Sequence, residues 1–340
     1  MKGRNMRKLV TLRTITEITP IENADAIEAV HVDGWKVVAQ KGIHSVGNQV
    51  LYFELDSFLP ASDSRFDSFM KFGTRVFNDV VGHRLKTKKL RGVYSQGIIM
   101  PLSDFPEVTG QEEDIATLIG VVKYDPPEVF IGSVAKGSFP SFLRKSDQER
   151  IQNIWNKIPN ELFVPTLKMD GSSVTVFAVD EKYGDVTEGI CSRNQLLRTD
   201  QESSFLAGVT RSRLLEKVRQ IRAETGMSIA LQGELVGPGV QGNYEQFDHH
   251  EVFVYNVFNV DAGEFLDYTD FTNVCNSYEI KTVPQVGDAD YVTDFELDEI
   301  LKFSDGRSIN AKVREGIVWK GLYSNFQFKV ISNKFLEKSN

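Results

Sequence analysis

Cysteine is scarce in this chain, with only Cys191 and Cys275 among 340 residues. Two cysteines cannot form a disulfide framework, which excludes a small stapled secreted scaffold. A reducing setting such as the cytoplasm is expected. Long apolar runs are also missing. No stretch approaches the roughly 18 residues of a membrane span, so no membrane partner is expected. The start, Met1 to Asn5, is basic but leads into an alternating segment rather than the apolar core of a signal peptide. Positive charge is in short supply too. The formal net charge of -8 argues against a protein that coats nucleic acid by neutralising many phosphates at once. Repeats and low-complexity tracts are absent, which excludes solenoids and arrays. The remaining mixture, 41% hydrophobic and 25% charged, is that of a globular chain. Its length suits two domains of roughly 100–200 residues each, with a monomer as the expected state.

The first third reads as β. Val10, Leu12 and Ile15 are followed by Ala29–Val32, Trp35–Ala39, Val50–Phe53 and Gln96–Met100. Asp33-Gly34, Lys41-Gly42 and Gly47-Asn48 punctuate them, as expected of a small antiparallel barrel. An OB-like barrel over 1–125 is the expectation, by fold-level analogy. Pro126-Pro127, Gly132, Gly137 and Pro140 mark 126–144 as a linker. A second domain then fills 145–340. It opens on a predicted helix with Ser146 and Glu149 as a capping box and Ile151, Ile154, Trp155 and Ile158 on one face. Arg211–Thr225 is a further predicted helix, closed by Gly226, between strands such as Val174–Val179 and Glu251–Tyr255. The class is α+β, weighted toward β. One local basic run, Arg84, Lys86, Lys88, Lys89 and Arg91, is either a solvated edge strand or a phosphate-contacting face.

The chemistry-bearing feature is Lys168-Met169-Asp170-Gly171, set between two apolar strands. Alone it is weak. An ordered set follows it: Ser192-Arg193-Asn194, Gly233-Glu234-Leu235-Val236-Gly237, Val254-Tyr255-Asn256-Val257-Phe258, Glu315-Gly316-Ile317-Val318-Trp319-Lys320 and Phe328-Lys329-Val330-Ile331. Taken one at a time these have plainer readings, Tyr255 and Phe258 as core and Glu234 and Glu315 as surface charge.

The ordered set resembles motifs I, Ia, III, IIIa, IV and V of the covalent nucleotidyltransferases, the superfamily of DNA ligases, RNA ligases and mRNA capping enzymes. The β-rich module at the front, and the roughly ten residues after Lys329 (too few for a domain), resemble the fifth, Deinococcus-type family of RNA ligases and its Naegleria-type members. Asn23–Glu28, Gly34-Trp35, Phe53–Pro60 and Lys145–Asn153 carry the same likeness. The resemblance implies an OB-like domain followed by an adenylyltransferase domain of antiparallel sheets and helices. It implies ATP and Mg2+ or Mn2+ as cofactors and Lys168 as the nucleophile that forms lysyl-AMP. Asp170, Glu234 and Glu315 would gather around the metal through its waters. Lys329 and Lys320 would touch the α-phosphate, and Arg193 the ribose or the transferred phosphate. Tyr255, or less readily Phe258, would stack on adenine, with Ile317 or Val318 opposite. Arg150 would meet the outgoing phosphates or be an exposed helical residue. The implied substrate is RNA with 3′-hydroxyl and 5′-phosphate ends at a nick in duplex RNA or an RNA–DNA hybrid, read by A-form shape. The front barrel and the basic run are then the expected contacts to that duplex.

The pattern departs from the family at motif V, where many relatives have a second lysine two positions on. Here Ile331 stands there and Lys334 is the next lysine. Ser173 stands where some RNA ligases place an asparagine near the 5′-phosphate. A DNA ligase, and a nucleic-acid-binding protein with an inactive transferase domain, are the alternatives. The Asp248-His249-His250-Glu251 cluster reads as a solvated turn in preference to a metal site.

Overall fold

The computed structural model describes residues 8–125 and 134–338. Met1 to Asn5, Pro126-Pro127 and Gly132 lie outside the described residues. Two compact units form. One consists of Met1–Glu128, Ile151–Asn156 and Leu336–Asn340, and the other of Val129–Arg150 and Lys157–Phe335.

In the first unit, strands β1 (Val10–Pro20), β2 (Ile27–Val32), β3 (Trp35–Gln40), β4 (Gln49–Phe53) and β10 (Ile98–Pro101) form one antiparallel sheet in the order β10-β4-β1-β2-β3. β1 pairs with β4 along its first half and with β2 along its second, with a register shift between Ile15 and Glu17. A bulge of this kind bends a strand, and here it lets one strand serve both sides of a curled sheet. The Gln96 amide donates to Lys36 O at 3.0 Å, which brings the segment before β10 against β3 and closes the ring. Asp33 takes a left-handed φ of 51° in the β2–β3 turn, as the Asp-Gly signal predicts.

A second sheet, β11-β5-β7-β6, is built from β5 (Ser57–Pro60), β6 (Arg75–Phe77), β7 (Val80–Arg84) and β11 (Val122–Lys123). β8 (Lys88–Leu90) and β9 (Val93–Ser95) make a hairpin. Short helices α1 (Asp67–Met70) and α2 (Ile115–Leu118) cover the core of Leu51, Phe53, Leu59, Phe66 and Phe105. Helix α3 (Ile151–Ile154) also belongs to this unit. Asn153 accepts from Trp35 Nε1 (2.8 Å) and Arg13 Nη2 (3.1 Å) and donates to Glu54 Oε1 (2.9 Å). Gly34-Trp35, Glu54 and Gln152-Asn153, read as separate family-like stretches, thus meet in one place.

The second unit has a seven-stranded sheet, β12-β17-β16-β15-β18-β19-β20, and a five-stranded one, β13-β23-β22-β14-β21. Their strands are β12 (Ala135–Ser138), β13 (Glu149–Arg150), β14 (Leu162–Lys168), β15 (Ser172–Ala178), β16 (Glu188–Cys191), β17 (Gln195–Leu197), β18 (Ile229–Val236), β19 (Glu251–Asn259), β20 (Glu264–Phe265), β21 (Asp290–Tyr291), β22 (Gly316–Gly321) and β23 (Gln327–Ile331). β12 falls inside the stretch read as a linker. α4 (Ser204–Arg211), α5 (Leu214–Thr225) and α6 (Tyr268–Ser277) pack on Val174, Val176, Leu231 and Val254, with Val218 and Ile221 contributed by α5. Phe177, Cys191, Ala230 and Phe258 fill a second cluster. With apolar side chains from both alternating rows of β15 buried, the unbroken run Val174–Val179 is explained. α7 (Leu297–Phe303) and α8 (Asn333–Lys338) complete the described helices.

Two predicted helices differ. The capping box at Ser146 and Glu149 is not formed, because Glu149-Arg150 are extended and pair in parallel with Phe328-Lys329 of β23. α3 begins only at Ile151. Arg150 is therefore a buried strand residue, not an exposed helical one. The helix predicted from Arg211 begins only at Leu214, because Arg211 ends α4 and Arg213 between the two helices adopts a left-handed φ of 54°.

Candidate active site

Lys168 is the last residue of β14 and lies opposite Gly316 of β22. Side chains alternate across a strand and directly paired residues share a face, so Lys168, Val318, Lys320 and Lys329 project from one face while Ile317 points to the other. Of the two apolar candidates, the register places Val318 on the Lys168 face. Gly171 ends the turn after Asp170, and a Cβ there would sit 2.3 Å from Leu235 O. At Gly316, directly after Glu315, a Cβ would sit 2.2 Å from Val330 O. Both motif glycines are thus demanded by close strand approach, which draws the carboxylates of Asp170, Glu234 and Glu315 toward Lys168.

Lys168 Nζ donates to Glu315 Oε1 at 2.6 Å, with both side chains half-buried. Burial pushes the Lys168 pKa down, but the carboxylates of Glu315, Glu234 and Asp170 together outweigh it and the net direction is up. Burial, then the Glu315 charge, lifts Asp170 to about 6. Burial lifts Glu234 to about 8, with Glu315 and Asp170 adding repulsion and Lys168 opposing it. A set of carboxylates held this far above their ordinary range is one that a bound cation would relieve. Among the described residues, no group of three or more His, Cys, Asp or Glu is placed to hold a metal directly. Magnesium commonly keeps several of its waters, which suits carboxylates carried by separate segments.

Tyr255 is set by a bulge. Gln232 pairs with Asn256 and Gly233 with Val254, so Tyr255 is the extra residue of β19. Bulges re-aim side chains beside active sites. Its hydroxyl is 3.1 Å from Ser173 Oγ, its ring is half-buried beside Leu167 and Met169, and burial raises its pKa to about 12. Phe258 is fully inside, 5.1 Å from Phe265, and is core. Lys320 is buried and donates to Tyr255 O and to Asn256 Oδ1 (2.7 Å), with Nζ 4.9 Å from the Phe271 ring. Burial lowers its pKa to about 7.

Lys329 stands opposite Val318 and, in the parallel pair, opposite Arg150. Arg193 is exposed and paired with Asp147 at 3.0 Å, and its charge acts on both Glu234 and Tyr255. Lys334 faces Asp305 at 3.5 Å, while Ile331 is buried. Asp248 and His249 form a bend before β19, and the neighbouring His250 has Nε2 2.7 Å from Pro238 O.

Two residues escaped the sequence reading. Buried Glu245 accepts from Ser308 Oγ and from the amides of Asn310 (3.0 Å) and Ala311 (3.3 Å), and its charge reaches Asp170. Buried Arg314 donates to the carbonyls of Phe303, Ser304 and Asp305 and anchors the approach to Glu315. Arg314 adjoins a motif and could have been found. Glu245 has no spacing signal.

A family model for RNA ligases matches residues 161–334, just over half of the chain. The chain belongs to the RNA ligase family. An OB-fold domain model matches residues 9–102 of this ligase, in agreement with the curled front sheet. It is similar to the Naegleria gruberi RNA ligase solved with PPi, at 34% identity and a TM-score of 0.87, covering 98% of each chain. Forms of that ligase with single substitutions are similar to the same degree. One holds ATP and Mn (34% identity, TM-score 0.86, 97% of this chain and 99% of that one) and one AMP and Mn (34%, 0.87, 98% and 99%). No curated protein matches the sequence significantly.

Proposed function

We propose that this ligase joins a 3′-hydroxyl to a 5′-phosphate at a nick in duplex RNA or an RNA–DNA hybrid, through an AMP carried on Lys168. ATP and a divalent metal ion are its cofactors, as the ATP- and Mn-bound relatives support. The observation that carries the reading is the Lys168–Glu315 pair at 2.6 Å, with Asp170 and Glu234 electrostatically coupled to it. In the Naegleria enzyme the substituted positions include a lysine and an aspartate two apart, and a glutamate and a lysine fourteen apart. Lys168 with Asp170, and Glu315 with Lys329, repeat both spacings.

In the first step Lys168 Nζ attacks the α-phosphorus of ATP. The new P–N bond replaces the bond to the bridging oxygen, and pyrophosphate leaves. An amine attacks only when neutral, whereas Lys168 beside three carboxylates holds its proton. Asp170, Glu234 and Glu315 would hold the metal ion, whose positive charge would offset the carboxylates and the phosphate oxygens, so that Lys168 gives up its proton to solvent before it attacks. Lys329 stabilises the α-phosphate, Arg193 the ribose or the transferred phosphate, and Arg150 the outgoing phosphates. Tyr255 forms the adenine shelf with Val318 opposite. Lys320, committed to Tyr255 O and Asn256, supports that shelf and does not reach for phosphate. The 5′-phosphate oxygen then takes AMP from Lys168, and the 3′-hydroxyl displaces AMP to close the strand.

Incubation with α-labelled ATP and Mg2+ or Mn2+, followed by denaturing electrophoresis, should show label bound to the wild type and none on Lys168→Ala. A wild type without label in either metal would overturn the reading. Nicked duplexes with ribose or deoxyribose on the 3′-hydroxyl side then separate RNA sealing from DNA sealing.

A further inference from the structure

The basic run that reads as one stretch in the sequence divides in the structure. Lys89 on β8 lies over the Tyr94 ring (4.8 Å) and faces Glu337 at 3.8 Å. Arg84, at the end of β7, instead joins Arg75 of β6. Both guanidinium groups sit on one aromatic ring, that of Tyr124, at 5.0 and 5.2 Å. Arg75 Nη1 also donates to the Tyr124 hydroxyl at 3.3 Å.

The register explains this grouping. Arg75 is opposite Gly82, Phe77 opposite Val80, and Phe58 opposite Arg84 and Val122. Arg75, Phe77, Phe58 and Arg84 therefore share one face of the four-stranded sheet. Phe58, Phe77 and Tyr124 make its floor, with ring centroids 4.9 to 6.0 Å apart. Lys86 stands close by, pushed below the ordinary lysine range by burial and then by Arg84, Arg75 and Lys88. The nearby acids do not balance these charges. Asp56 accepts from Arg84 at 2.7 Å, and Asp125 is taken by Lys123 at 2.8 Å. Among the described residues, Arg75, Arg84 and Lys86 thus have one carboxylate, Asp56, to share, an excess of two positive charges in a chain whose net charge is -8. Such mutual repulsion is unfavourable in the free protein and is relieved by a polyanion. The two arginines are already oriented by Tyr124, so less side-chain freedom is lost when they bind, and their planar groups match phosphate oxygens in pairs.

We propose that this face is a docking surface for the phosphate backbone of the RNA substrate, with Arg75, Arg84 and Lys86 as the contacts and Tyr124 as the residue that orients the arginines. The inference rests on the ligase reading. It adds a binding surface in the front unit that holds the strand without reading base sequence.

The test uses the full-length protein, EDTA, no ATP and a fluorescent RNA duplex carrying one nick, with Kd measured across a KCl series. The Arg75→Ala/Lys86→Ala variant should bind about tenfold more weakly at low salt and lose about two units of the salt slope, one for each phosphate contact. Arg75→Lys should keep most of the slope, and Lys89→Ala should change Kd by less than about twofold. Unchanged affinity and slope in the double variant would overturn the surface. So would an equal loss in Lys89→Ala, because the effect would then be one of diffuse charge. Label transfer to wild-type Lys168 is scored separately, so failure of the lysyl-AMP reading and failure of the RNA surface give different results.

Discussion

Lys320 shows how far burial can move a single charge in this protein. Its pKa is lowered to about 7 from the ordinary 10.5. Between those values the unfolded chain binds a proton that the folded chain has released, so this residue makes stability rise with pH. Below about pH 7 both states are protonated and the rise is absent. The slope approaches about 1.4 kcal/mol per pH unit. From pH 7 to 8.5 the wild type should therefore gain about 2 kcal/mol relative to Lys320→Met, measured by urea denaturation. Parallel pH profiles would remove the assignment. Lys168 behaves oppositely. It is half-buried and faces three carboxylates, and its proton is retained.

At the scale of strands and turns, the site depends on how closely β22 approaches β23. A methyl group at position 316 would meet Val330 O at 2.2 Å, against backbone that cannot swing aside. Gly316→Ala should lose about 1–3 kcal/mol of stability, measured by denaturant midpoint. Because Glu315 is displaced with the strand, label transfer from ATP should fall as well. An unchanged midpoint would contradict the close approach.

Much of this level was legible in advance. The motif residues Lys168, Asp170, Glu234, Glu315 and Lys329 stood out by their order along the chain, and the strands beside Lys168 by their apolar runs. That Val318 rather than Ile317 shares the Lys168 face follows from strand parity once the pairing is known. The bulge at Tyr255 was not legible, because a one-residue offset between two strands leaves no mark on either strand alone. Ser146 and Glu149 carry the letters of a capping box, but a parallel partner in β23, distant in sequence, claims Glu149 first. The sequence does contain a capping box, at Glu296 and Glu299, where no competing strand intervenes. The single basic run concealed a division that only the register of β6, β7 and β11 exposes.

At the scale of the whole molecule, the two cysteines serve as internal reporters. Cys191 packs in the cluster with Phe177 and Phe258, and Cys275 in the cluster with Val218 and Ile221. Burial raises each thiol to about 12, with Lys320 opposing slightly at Cys275. Both should resist a thiol reagent at neutral pH and react together when the second unit is unfolded in denaturant, followed by mass shift. Rapid labelling of either in native buffer would show that its cluster opens locally.

The Lys168–Glu315 pair spans 147 positions of the chain. A ribosome delivers residues in order, so Lys168 emerges long before β22 exists to receive β14. Until then β14 has an unpaired edge and Asp170 has no Glu315 to complete its charge cluster. The charge cluster around Lys168 therefore cannot assemble until β22 has been made and has paired with β14. A chain released before Glu315 would keep Lys168 and Asp170 but lack the carboxylate that holds the Lys168 amine in place.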